Sequence, residues 1–209
     1  MGLTRWQILK GVQPPPPPKI EMAELFPGML ERYRGHPSQR DRGGLVYTDP
    51  KAMFLATKVH YHPKLKKYLR CKSEANQEIC CARIGLPIWR IGASLIKYDT
   101  DKMGNLMAPL RYQVMPWVFG ENSYTKLKIL NDRFSLATND IFITCHSIEF
   151  QHITLEACTE SIWLQNKIIK ANVLGQARPV QEFLKKALAV DMPLPELRTL
   201  LENDTIPNS

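Results

Sequence analysis

The sequence predicts a mainly β chain with helices at its C-terminal end, in which a barrel of about five strands carries a metal-binding loop. Three observations predict it. Short runs rich in β-branched and aromatic residues, separated by turn residues, recur from Leu45 to Leu155. A cluster of histidines and cysteines interrupts them between His60 and Cys81. Beyond Cys158 the apolar residues take up a helical spacing.

Residues 1–19 read as a flexible arm, with Trp6, Ile8 and Leu9 followed by a proline run at 14–18. Such a run is a stiff polyproline II linker of about 3 Å per residue. Residues 20–50 read as a short helical and loop lead-in, broken at Pro27-Gly28, with a loop over 35–44 and strand character from Leu45. Residues 51–158 are the expected core. Strands are predicted over 53–61, 92–98 and 111–119, and Tyr68-Leu69-Arg70 leads into the cysteines. DTDKMGN, at 99–105, is a hairpin turn. Residues 121–133 read as a helix, with Tyr124, Leu127 and Leu130 on one side. Two strands follow, over 140–145 and 150–155. Residues 159–209 are a helical extension, with helices over 160–174, 179–190 and 194–203 separated at Gly175, Pro179 and Pro193. A small barrel with one helix between its later strands is the OB-fold arrangement.

The 44% hydrophobic and 9% aromatic content is that of a globular protein. No apolar run is long enough to cross a membrane, and MGLTRWQILKGV lacks the apolar centre of a signal peptide. With three of five cysteines inside eleven residues, two of them adjacent, the expectation is free thiols in a reducing, cytoplasmic or other nucleic-acid-containing compartment. Charge is concentrated. Residues 51–120 hold twelve Lys and Arg against four Asp and Glu, whereas the rest of the chain is balanced at sixteen and sixteen. A local excess of this kind is the footprint of a polyanion, most simply nucleic acid. Residues 121–209, with nine basic and eleven acidic side chains, suit a partner surface instead.

Zinc takes four Cys or His ligands in a tetrahedron. The candidates are His60 or His62, with Cys71, Cys80 and Cys81. The gaps from His62 to Cys71 and from Cys71 to Cys80 are each nine residues, long enough for a loop to return to one point. Adjacent Cys80 and Cys81 would point to opposite faces of a strand, so both can ligate only in a turn. Cys145, Cys158, His146 and His152 read as core or surface residues. For a single strand, the stretch offers Lys58, Lys64, Lys66, Lys67, Arg70, Lys72, Arg90, Lys97 and Arg111 for phosphates, and Tyr98, Tyr112, Trp117 and Phe119 for bases. Tyr61, Tyr68 and Trp89 are further rings in the same stretch.

The order of these features resembles the helix-destabilising single-stranded DNA-binding proteins of T-even bacteriophages. The likeness runs over residues 54–158, through the loop His62, Cys71, Cys80, Cys81 and the segments LIKYDTD, YQVMPWVFG, YTKLKILN, DIFITC and FQHITL. The sequence departs from that family in its adjacent final cysteines, and in holding only Arg5 and Lys10 where the family has a basic N-terminal segment. The resemblance implies an OB-fold with a structural zinc loop. It also implies a basic, aromatic-lined cleft, carried to Lys64, Lys66, Lys67, Arg90, Lys97, Arg111, Tyr98, Tyr112, Trp117 and Phe119.

The expected function is sequence-tolerant binding of single strands, DNA favoured over RNA, during replication or recombination. Protein partners would dock on the N-terminal arm or the C-terminal helices. The alternative is a non-catalytic, zinc-containing subunit of a larger nucleic-acid machine for transcription, replication or RNA-guided work. An enzyme is not expected: there is no Gly-rich phosphate loop and no HExxH, and Asp99, Asp101, Asp132 and Asp140 sit where turns and caps explain them.

Overall fold

The apolar alternation IWRIGASLIKY forms β4 (Ile88–Tyr98), the central strand of the sheet. In the computed structural model, which describes residues 30–37, 39–49, 53–72, 79–147 and 152–203, β4 is buried on both faces. Ile91, Ala93 and Leu95 enter one core, and Ile96 and Tyr98 enter another. One edge of β4 pairs along its length with β5 (Tyr112–Gly120), from Arg90 opposite Gly120 to Tyr98 opposite Tyr112. The other edge is divided. β2 (Leu55–His62) takes the first half, with Val59 opposite Ile88, and β1 (Arg40–Val46) takes the second, with Val46 opposite Ser94.

The sheet therefore forks. One branch continues from β1 through β6 (Asn139–Cys145) to β7 (Ile153–Glu160). The other ends in a hairpin of β2 with β3 (Lys67–Arg70). All ladders between the seven strands are antiparallel. A closed five-stranded barrel was expected; among the described residues no ladder joins β5 to β7, and the sheet is open. Segment 30–37 crosses from β5 to β6 instead. The Tyr33 N–H donates to the Pro116 carbonyl at 2.9 Å, and Pro37 bridges to Cys145.

β1 begins well inside the stretch expected to be a loop. Its glycines are there for close packing: a Cβ on Gly43 would lie 2.4 Å from the Ile96 carbonyl oxygen, and one on Gly44 2.7 Å from Asp140 Oδ1. Strand propensity penalises both glycines, which is why local sequence pattern hides the strand.

Five helices complete the described fold: α1 (Ile79–Ile84), α2 (Glu121–Arg133), α3 (Ile162–Gln165), α4 (Lys167–Ala187) and α5 (Leu194–Asn203). Residues 160–174 and 179–190 were expected as separate helices. Glu160 instead ends β7, and α4 is continuous through Pro179. Asn166 caps α4 by accepting from the Ile168 and Ile169 N–H groups. Its buried stripe, Ile169, Val173, Ala177, Val180 and Leu184, runs past the proline on one face, and that burial offsets the lost backbone bond. Leu127 of α2 closes the first core, and Trp163 of α3 with the α4 stripe closes the second. Leu69 and Cys80 form a small third core with Leu197 and Leu201 of α5. Among the described residues no helix is long and apolar enough to cross a membrane. The N-terminal arm and the helical stretches expected before residue 30 lie outside the described residues.

Candidate functional site

The register of the β2–β3 hairpin decides which histidine meets the cysteines. Val59 stands opposite Arg70 and Tyr61 opposite Tyr68. Cys71 then donates its backbone N–H to the Lys58 carbonyl at 2.9 Å, so it sits level with residue 58. His60 is on the same face one step along the alternation; His62 is a step further, at the hairpin turn. There His62 Nδ1 accepts from the Leu65 N–H at 3.4 Å. The ligand set expected from sequence used His62. In the structure His60, Cys71, Cys80 and Cys81 converge, with ligand atoms all within 4.8 Å of one another.

Cys80 and Cys81 are not in a strand. They lie in α1, where adjacent side chains diverge by about 100° rather than 180°, so both reach one point. Cys71 Sγ is 3.7 Å from Cys81 Sγ and 4.0 Å from Cys80 Sγ, and Cys81 Sγ is 3.7 Å from His60 Nε2. Metal–sulfur bonds of about 2.3 Å in a regular tetrahedron give edges of about 3.8 Å. The cluster can hold a metal ion. Its protonation preferences without one are those of crowded, desolvated donors. Burial, then the neighbouring Cys71 and Cys80, pushes the Cys81 thiol up to about 12. Burial lowers the His60 imidazole, opposed by the Gly85 backbone.

The other face of this hairpin looks into a cavity of about 640 Å³. That size falls in the range of roughly 300–1,000 Å³ usual for ligand sites. Tyr68, Ile88, Trp89 and Arg90 form one wall, and Trp117, Phe119, Asn122 and Ser123 line the end of β5 and the start of α2. Ile143, Cys145 and Ile153 form the floor, and Arg32, Tyr33, Arg34 and Gly35 the remaining side. Three arginines and five aromatic rings line this space, and among the described residues no carboxylate does. The Arg90 guanidinium lies 4.1 Å from the Tyr68 ring centroid and donates to the Leu188 carbonyl at 3.0 Å. Burial and then the Arg32 charge lower its pKa, so two cations share this space. Next to it Tyr61, 46% exposed, packs on Tyr68 at 5.2 Å, and Trp89 is 39% exposed with Lys58 Nζ 5.3 Å from its ring centroid.

Of the nucleic-acid-binding residues expected from sequence, Arg90, Trp117 and Phe119 line the cavity. Trp117 and Phe119 are nonetheless buried in the first core, and Tyr98 and Tyr112 in the second. Their faces are taken by protein neighbours, since alternation in doubly covered strands turns every second ring inward. Lys64, Lys66 and Lys67 are exposed at the hairpin turn, and Arg111 is exposed before β5. Arg70 and Lys72 both pair with Asp191, and Lys97 pairs with buried Asp41 at 3.3 Å. Arg32 and Arg34 were not singled out from sequence. Their only signal is two arginines flanking a tyrosine in ERYRGHP. No family model, curated protein or solved structure matches the chain.

Proposed function

We propose that the chain is a non-catalytic, sequence-tolerant single-stranded DNA-binding protein and that the cavity beside the hairpin is where the strand lies. The observation that carries this is its lining: three arginines and several rings, with no carboxylate among the described residues to neutralise them. Phosphates answer the arginines, and bases stack on Tyr68, Trp89 and Tyr61, each stack contributing roughly 1–3 kcal/mol whatever the base.

A zinc ion held by His60, Cys71, Cys80 and Cys81 has a structural role in this reading, because four protein ligands leave no open position for a substrate. It ties α1 to the hairpin that forms one wall of the cavity. The strand order β5-β4-β1-β6-β7, with α2 between β5 and β6, supports an OB-fold reading with the hairpin inserted between β1 and β4. Together with the resemblance to the T-even phage proteins, that supports a role in DNA replication or recombination.

Fluorescence anisotropy of a labelled oligothymidine across a salt series tests the proposal, with duplex DNA and RNA as competitors. The expected result is salt-sensitive binding that duplex competes for poorly and RNA less well than DNA. Equal competition by duplex sinks it.

A further inference from the structure

Segment 30–37 is bound to the sheet as a strap. We infer that this strap is the phosphate-gripping wall of the cleft, with Arg32 and Arg34 as the contacts and Tyr33 as the residue that positions both. The inference rests on the strand-binding reading and names the residues that make it work.

Tyr33 is held from several directions. Its ring stands edge-on to Trp117, with centroids 5.8 Å apart. Its hydroxyl donates to Asp41 Oδ2 at 2.8 Å. Asp41 is 1% exposed and is fixed in turn by Gln39 at 3.2 Å and Lys97 at 3.3 Å. The backbone is pinned as well. A Cβ on Gly35 would lie 2.9 Å from Cys145 Cβ, so the strap sits closer to β6 than a side chain permits. With Tyr33 turned into the core, the arginines on either side of it both border the cavity. A hydrogen bond to a phosphate is worth most when its donor is already in place, because less freedom is lost on binding. The planar guanidinium also offers paired donors that match two phosphate oxygens.

The surroundings favour a polyanion. Arg32 stands near enough to Arg90 to depress its pKa, and among the described residues no carboxylate borders the cavity. The strap and β4 thus present like charges across one cleft. A chain of phosphates passing between them relieves that repulsion at both walls.

The test is salt-dependent anisotropy with oligothymidine on wild type and on Arg32→Ala, Arg34→Ala, Arg32→Lys, Tyr33→Phe and Arg90→Ala. Each alanine variant at the strap is expected to bind about tenfold more weakly at low salt. Each should also lower the slope of log K against log salt by about 0.7, the value for one lost contact on a single strand. Arg32→Lys should keep the slope and recover only part of the affinity. Tyr33→Phe keeps the ring and loses the tether to Asp41. Its slope should fall, whereas a residue that only stabilises the fold would lower the melting temperature and leave the slope at the wild-type value. If wild type binds and the strap variants keep its slope while Arg90→Ala loses affinity, the phosphates are gripped elsewhere and the inference fails, although the strand-binding reading survives. If wild type does not bind, that reading falls first. Displacement by thymidine monophosphate at equal nucleotide concentration would make the strap a mononucleotide site and overturn the inference.

Discussion

Asp140, in β6, is fully buried and carries a charge into the sheet. Its Oδ1 accepts from the Ser161 hydroxyl at 2.7 Å and the Tyr98 hydroxyl at 3.4 Å, while Oδ2 pairs with Arg42 at 3.2 Å. Burial pushes its carboxyl up to about 6, against the pull of Arg42 and Ser161. A folded-state value above the unfolded one means that the native state holds the extra proton. The resulting stabilisation is full below the unfolded value near 3.8 and is lost as pH rises through about 6. Asp140→Asn should therefore remove part of the pH dependence of stability between about 3.8 and about 6. Melting curves of wild type and variant across that window check this; parallel curves would contradict it. The residue illustrates what sequence hides. In NDIFITC an aspartate at a strand start reads as a turn or cap residue, because nothing local records that Tyr98, Arg42 and Ser161 converge on it. The rings misled for a related reason. Tyr112 and Trp117 enter different cores, and alternation along one strand does not say which face is wet when both are covered.

At the scale of elements, the hairpin and α1 make a unit too small to stand on its own apolar core, which reduces to Leu69 and Cys80 with two leucines of α5. Bound metal would supply the missing cross-link. Purified wild type should carry about one zinc per chain. His60→Ala and Cys81→Ser should lose it, and His62→Ala should keep it. Elemental analysis decides among these, and loss of metal from His62→Ala alone would reverse the assignment. The three cysteines were legible from spacing. The histidine was not, because choosing between His60 and His62 requires the hairpin register, and that is fixed by the turn at 63–66. The element most completely hidden was β1, with paired glycines where a strand is least expected. The best-read elements were α2 and α5, whose observed bounds, Glu121–Arg133 and Leu194–Asn203, match the expected ones. Both show apolar spacing on one face that no distant contact overrides.

At the scale of the whole molecule, the proposed function rests on the fork at β4. Its first half carries the hairpin with His60 of the His/Cys cluster, its second half carries β1 and the strands beyond, and the cavity lies where the strap meets both. The charge excess of residues 51–120 reads as a polyanion footprint, but it is an incomplete guide to the charges that line the cavity. Arg70, Lys72 and Lys97 from that stretch are engaged with Asp191 and Asp41. Arg32 and Arg34, from outside it, line the cavity. Sequence supplies charge by position along the chain, and the fold redistributes it by which partners the charges meet. The most direct test is photocrosslinking of a 4-thiothymidine oligonucleotide to the full chain, with the modified peptides mapped by mass spectrometry. Crosslinks concentrated on Tyr68, Trp89 and the Arg32–Arg34 peptide are the predicted result. Crosslinks confined to the exposed faces of α4 and α5, with none at the cavity, would contradict it.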